Sequence, residues 1–299
     1  MSNSPGNLKV WIWAIRPKTL ILSQLPVITG LALALTQLKG IFLPRPLALF
    51  LCSLLAMLMQ AAANLVNDAH DSETGRDRAD RLGPLRVTQA GLLAAKTVKQ
   101  MATFLLGISF LLGLILVTWG GFPLFLLGVV SLFTAYAYTG GPYPLSHLGL
   151  GEAVAYLFFG PLATWGTAIL QAPQVDAHLL FFMGHLPGTA AALLMLVNNL
   201  RDYPQDAHSQ WGKKTLVVRW GPGPARILLV CLLSSVTLVC FSFGLLLAGL
   251  IPLFFWSTWL LLLREDPSPR YNRSLGQVAL CFLLTILCFS WGIVQRSLP

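Results

Sequence analysis

The chain has 299 residues, of which 56% are Ala, Val, Ile, Leu, Met, Phe, Trp, Tyr or Cys and only 10% are charged, where an average soluble domain has about 25% charged residues. So few charges cannot cover a water-soluble globule, and so apolar a chain does not stay solvated as a disordered one, which leaves an all-α integral membrane protein. The formal net charge of +9 then marks one membrane face that meets anionic lipid or substrate, with no nucleic acid as partner.

Arg16-Pro17-Lys18 precedes the first apolar run and no small-residue cleavage pattern follows, so the first span is expected to be retained. A span needs about 20 mostly apolar residues. That ruler marks nine transmembrane helices, near 19–37, 46–66, 98–118, 121–139, 151–170, 179–199, 225–246, 248–263 and 275–295. Only Trp119-Gly120-Gly121 separates the third from the fourth. With the N-terminus in the cytoplasm, 17 of the 20 Lys and Arg residues fall inside and only Lys39, Arg45 and Arg296 outside, as the positive-inside rule requires. The five cysteines lie in apolar runs with no C-x-x-C pair and are expected to pack as small hydrophobes.

Seven of the eleven acids lie in two inner loops, at 67–97 and 200–224: Asp68, Asp71, Glu73, Asp77, Asp80, Asp202 and Asp206. If the second span continues as helix past the bilayer, Asn64, Asn67, Asp68 and Asp71 share one face at i, i+3, i+4 and i+7. Asn198, Asp202 and Asp206 recur every four residues at the end of the sixth, where Pro204 is expected to bend or end the helix. Both clusters open on Asn-x-x-x-Asp, offset by 134 residues. Each closes the second helix of a four-helix stretch, which points to a single domain with a pseudo-repeat, about 19–139 and 151–263, followed by a ninth helix at about 275–295. Carboxylates at a helix C-terminus oppose the helix dipole, and divalent cations relieve that repulsion. Mg²⁺ is typically held by one or two carboxylates plus substrate phosphates, so facing clusters flanked by Arg and Lys suggest a Mg²⁺–diphosphate site around a central cavity.

The run Asn64-Leu-Val-Asn67-Asp68-x-x-Asp71 with Asp77, and Asp202-x-x-x-Asp206, resemble the two aspartate-rich motifs of the UbiA superfamily of intramembrane prenyltransferases. Further motifs resemble the branch acting on 1,4-dihydroxy-2-naphthoate: Arg16-Pro-Lys18-Thr-Leu, Asp80-Arg-Leu-Gly-Pro-Leu-Arg86-Val-Thr-Gln89, Leu148-Gly-Leu-Gly-Glu152, Asn198-Asn199-Leu-Arg-Asp202 and Gly212-Lys213-Lys214-Thr. Many members space the first motif as Asp-x-x-x-Asp, whereas here Asp77 follows Asp71 by six. The resemblance implies Mg²⁺ held by Asn64, Asn67, Asp68, Asp71, Asp77, Asp202 and Asp206. It implies transfer of a polyprenyl group from an allylic diphosphate to the naphthoate, with loss of CO₂ and diphosphate, giving demethylmenaquinone.

In that reaction Arg78, Arg86, Lys213 and Lys214 would contact the diphosphate, with Asn198 and Asn199 beside them. Tyr136 and Tyr138 would face the allylic cation, and Arg16 or Lys18 would orient the ring carboxylate. Glu152 opens the fifth span, where both a functional acid and a carboxylate welcomed by a helix N-terminus fit. No histidine shows ligand spacing. The implied location is the inner cell membrane with the active site facing the cytoplasm, or a thylakoid membrane in a photosynthetic source. Phytyl transfer to the same acceptor and other aromatic acceptors remain open. A cation-coupled transporter would place its charges near mid-membrane instead. In a variant lacking the native cysteines, cysteines at Ser72 and Ser209 are expected to react with an impermeant maleimide only from the cytoplasmic side; labelling from outside overturns the shared-face reading.

Overall fold

A computed structural model describes residues 8–38, 45–75, 82–84, 86–172, 174–208 and 213–297. Among them every regular element is helical. A short helix, α1 (Leu8–Ile15), leads into α2 (Pro17–Leu22) and α3 (Leu25–Leu38), followed by α4 (Pro46–Glu73) and α5 (Ala95–Ala137). Then come α6 (Gly151–Leu157), a π-turn at Phe158–Leu162, and α7 (Ala163–Gln171). The second part comprises α8 (Ala177–His208), α9 (Leu216–Trp220), α10 (Pro222–Ser242), α11 (Leu246–Phe254), α12 (Trp256–Arg264) and α13 (Tyr271–Ser297).

Among the described residues seven helices are long and apolar enough to cross a membrane, or eight if α11 and α12, bent by 50°, form one span. Helix α5 has 43 residues, about 64 Å at 1.5 Å per residue, twice the roughly 30 Å of a bilayer core. It breaks at Gly121, whose φ of 69° and ψ of −167° are non-helical and suit a residue without Cβ.

The largest apolar core joins α3, α8, α10 and α13 around Leu193, Leu196, Tyr271, Phe282 and Phe289. Outward-facing Phe104, Leu111, Phe133, Phe181, Phe254 and Trp291 stay exposed, as a lipid-facing surface should. Lipid tails are as apolar as leucine, so the hydrophobic effect does not join helices within the bilayer; close approach and polar links do. The π-turn crosses α8 where glycine meets glycine. A Cβ on Gly160 would lie 2.7 Å from the Gly184 carbonyl, and one on Gly184 would lie 2.8 Å from the Pro161 backbone. Nearby, the Tyr156 hydroxyl lies 2.9 Å from Nδ1 of His185, whose Nε2 lies 2.9 Å from the Ser235 hydroxyl. This polar link ties α6, α8 and α10 together.

Two expectations need correction. Helix α8 runs unbroken through both Pro187 and Pro204 to His208. Each proline removes one backbone donor, a loss that packed transmembrane helices tolerate, so Pro204 does not end the helix. Cys52, Cys240 and Cys281 are buried, but Cys231 is exposed, on the outer side of α10.

Gly184→Val is expected to cost about 1–3 kcal/mol through forced backbone displacement, read as a lower unfolding temperature in detergent. A Cβ at Gly107 of α5 meets nothing within 4 Å, so Gly107→Ala should be neutral or slightly stabilising.

Candidate active site at the ends of α4 and α8

Helix α4 continues beyond its apolar run to Glu73, so Asn64, Asn67, Asp68 and Asp71 do share a helix face. Asp68 and Asp71 are each 1% exposed. Two buried carboxylates at the negative end of a helix dipole require counter-charge, and three separate segments supply it. Arg16 pairs with Oδ1 of Asp68. Arg86 pairs with Oδ2 of Asp71, brings Nε to 3.5 Å from Asp68, and donates from Nη2 to Asn67 at 3.2 Å. Lys213, beyond the end of α8, places Nζ 2.6 Å from the same Oδ2 of Asp71.

The Arg16 turn is built for this contact. Arg16 stands between α1 and Pro17 at φ 54° and ψ 72°, a left-handed conformation that costs a non-glycine residue on the order of 1–3 kcal/mol. Asn64 stabilises it by donating to the Ile15 carbonyl at 2.9 Å and to the Thr19 hydroxyl at 2.8 Å. Val10 and Ala14 of α1 pack against Leu65, Val66 and Ala69 of α4. Thr88 donates to the Asp68 carbonyl at 3.0 Å, holding the chain that carries Arg86 against the same helix.

The second cluster lies on the last turns of α8. Arg201, 2% exposed, grips Asp202 with two hydrogen bonds of 2.7 and 2.8 Å. Its third nitrogen donates to Asn272 at 2.8 Å, and Asn272 in turn donates to the Leu82 carbonyl at 2.8 Å. The first inner loop, α8 and the start of α13 are thereby tied together. Asp202 and Asp206 are half-buried.

Residues 138–152 connect the two clusters. His147 brings Nε2 to 3.9 Å from Oδ1 of Asp71. Tyr138 donates its hydroxyl to the Gly151 carbonyl at 3.4 Å. Glu152, 5% exposed, accepts a hydrogen bond from Asn199 of α8 at 2.8 Å. The approach of His147 to the first cluster was not anticipated from the sequence. A Leu-Gly-Leu-Gly run just before an acid, forcing a tight entry into a span, is the signal that pointed to this segment.

Other expected residues are placed more loosely. Lys18 and Lys214 are exposed, and Tyr136 is 38% exposed. The Asn198 amide donates to Leu194 of its own helix at 3.0 Å. Asp77 and Arg78 lie outside the described residues. An apolar groove between α3, α4, α5 and α7, lined by Cys52, Met59, Phe110, Phe125 and Leu170 among others, lies along the apolar part of α4; Met59 precedes Asp68 by nine residues, about 13 Å along the helix.

Among the described residues no three His, Cys, Asp or Glu side chains gather as a ready-made metal nest. A hard cation that takes one or two carboxylates and completes its shell with water and phosphate does not need one. Oδ1 of Asp71 is buried and accepts no hydrogen bond among the described residues, so this oxygen fits such an ion.

The model of the UbiA prenyltransferase family matches residues 24–279. The chain belongs to that family. Among UbiA relatives, the Haemophilus influenzae protein named 1,4-dihydroxy-2-naphthoate octaprenyltransferase is 33% identical over 96% of both chains. Its Escherichia coli K12 namesake is 39% identical over 78% of this chain and 75% of its own. The solved structure of a UbiA homolog from Archaeoglobus fulgidus bound to DMAPP and Mg²⁺ superposes with a TM-score of 0.67 at 17% identity, covering 95% of this chain and 99% of that one, which shows a shared fold.

Removing one member of a buried pair leaves an uncompensated charge and costs about 3–5 kcal/mol. Arg86, 4% exposed, serves both acids, so Arg86→Met should lower the unfolding temperature markedly. Lys213→Met removes a cation whose side chain is 19% exposed and leaves Arg86 on Asp71, so it should lower it much less. Equal losses would contradict this charge assignment.

Proposed function

We propose that this chain transfers a polyprenyl group from an allylic polyprenyl diphosphate to 1,4-dihydroxy-2-naphthoate, with loss of CO₂ and diphosphate, giving demethylmenaquinone in its reduced, quinol form. The observation that carries the reading is the convergence of Arg16, Arg86 and Lys213 on the buried Asp68–Asp71 pair. The naphthoate octaprenyltransferases that match the chain along most of its length supply the substrate class. The break at Gly121 divides α5 into two crossings and α11–α12 form one bent crossing, for nine spans with the N-terminus and the site on the cytoplasmic side. One domain then holds two four-helix halves, with an Asn-x-x-x-Asp frame closing α4 in the first and α8 in the second.

Asn64, Asn67, Asp68 and Asp71 from α4 and Asp202 and Asp206 from α8 supply the oxygens that would hold Mg²⁺, while the Asn64 amide nitrogen secures the Arg16 turn. Bound Mg²⁺ would neutralise charge on the diphosphate and on the carboxylates together. Arg86 and Lys213, released from Asp71, would move a short distance to the diphosphate and stabilise it as it leaves. Arg16, freed in the same way, is placed to hold the ring carboxylate. Tyr138, whose hydroxyl meets the Gly151 carbonyl, would face the allylic cation, and the apolar groove along α4 and α5 would offer the prenyl tail a dry surface.

If these carboxylates serve a diphosphate, Asp68→Asn and Asp202→Asn should each lower demethylmenaquinone formation by about two orders of magnitude or more, since each ~1.4 kcal/mol of lost transition-state stabilisation is tenfold. Asp176 caps α8 by accepting from the Leu179 amide at 2.7 Å. Asparagine caps equally well, so Asp176→Asn should keep wild-type turnover. Normal turnover in both cluster variants would leave those acids with a structural role only.

A further inference from the structure

Glu152 is nine-tenths buried, yet one of its oxygens, Oε2, makes no hydrogen bond among the described residues. The other is fixed by Asn199 at 2.8 Å, and Tyr138 anchors the neighbouring Gly151 carbonyl at 3.4 Å. Buried polar atoms are nearly always satisfied, and each exception calls for an explanation. Surface acidity does not explain this one, and capping leaves the second oxygen without a partner. Around it lie Asn199, one turn before Asp202, and the segment whose His147 reaches Asp71. The open oxygen therefore lies in the segment that reaches α8 through Asn199 and Asp71 through His147.

We infer that Oε2 of Glu152 is the general base that takes, and then returns, the proton of the acceptor's 1-hydroxyl group. This rests on the naphthoate reading and deepens it. Prenyl transfer with decarboxylation consumes and releases no net proton: the allyl group replaces CO₂, and diphosphate leaves with the electron pair of the broken C–O bond. A base in this site must therefore lend its capacity and recover it. As the ring carbon bearing the carboxylate forms the new C–C bond to the allylic cation, the ring becomes electron-poor and the adjacent hydroxyl becomes acidic. Transfer of its proton to Glu152 turns that hydroxyl into a ketone, β to the carboxylate. The C–CO₂ bond then breaks, its electron pair enters the ring as an enolate, and the enolate oxygen takes the proton back from Glu152. Asn199 is the positioning residue, holding the carboxylate with one oxygen free.

The test uses the full chain in detergent with Mg²⁺, farnesyl diphosphate and 1,4-dihydroxy-2-naphthoate. Glu152→Gln keeps the shape and the bond to Asn199 but cannot take a proton. It should lower kcat by about 100-fold or more, the usual weight of general-base catalysis, while the acceptor KM, the binding of a non-reacting farnesyl thiodiphosphate and the unfolding temperature change by little. Glu152→Asp should recover part of the rate. On the wild-type protein, an acceptor methylated at the 1-oxygen should fail to turn over and its 4-methoxy isomer should still react. If the wild type makes no product, the naphthoate reading itself falls. If it does, the assignment to Glu152 alone is overturned by a near-normal kcat in Glu152→Gln, by a rate loss matched by lost donor binding or stability, or by equal reaction of the two methyl ethers.

Discussion

Two carboxylates buried side by side at the end of a membrane helix set the terms for the rest of this structure. Taking an ion out of water costs several kcal/mol even after relaxation, and a like-charged neighbour adds to that cost. Asp68 and Asp71 are tolerable only because cations arrive from the N-terminal turn, from the first inner loop and from beyond α8. None of those segments is near the others in sequence. The compensation of charge is therefore also what closes this end of the bundle. It accounts for a left-handed Arg16, for the Asn64 amide spent on that turn, and for Thr88 pinned to the backbone of Asp68. Diphosphate and divalent cations suit such a site because each finds its counter-charge already present, and the groups need only exchange partners.

The apolar body obeys a different rule. Within lipid, apolar surface alone does not bring helices together, and the contacts that specify this bundle are short-range. Glycines at the crossing of the π-turn and α8 let backbones meet at distances a Cβ would forbid. The Tyr156–His185–Ser235 link supplies a directional contact where hydrocarbon supplies none. Backbone irregularity is confined to such packed places. The π-turn holds Gly160 and Pro161 against α8, so a locally widened helix is supported by its neighbour rather than by water.

The features legible in the sequence were those that scarcity makes conspicuous. Long apolar runs marked the spans, and eleven acids in 299 residues made their clustering visible. Trp119-Gly120-Gly121 announced the break in α5, and the four- and three-residue steps from Asn64 to Asp68 and Asp71 announced a common face. Hidden from it was the choice of partner. Lys213 is 142 residues from Asp71, and nothing local distinguishes it from the exposed Lys214 beside it. Asn64 also serves as a clamp through its amide nitrogen, a role created by the folding back of α1. Pro204 was expected to bend or end a helix because local rules concern isolated helices; α8 continues to His208 because its neighbours hold it.

A reaction that passes through an allylic cation must keep water away while moving charge in two directions. Negative charge gathers on the departing diphosphate, and positive charge spreads into the ring being alkylated. The cations around Asp68 and Asp71 answer the first demand and worsen the second, since a ring that is becoming positive gains nothing from more cations nearby. A separate anion on the acceptor's side resolves the conflict, and it must be fixed, or it would pair with the same arginines. Glu152 meets that requirement: Asn199 fixes one oxygen, and its ion pairs among the described residues are none. The segment 138–152 approaches the donor's acids through His147 and presents its own acid five residues later. It thus holds apart two charge-handling tasks that would cancel if merged into one cluster.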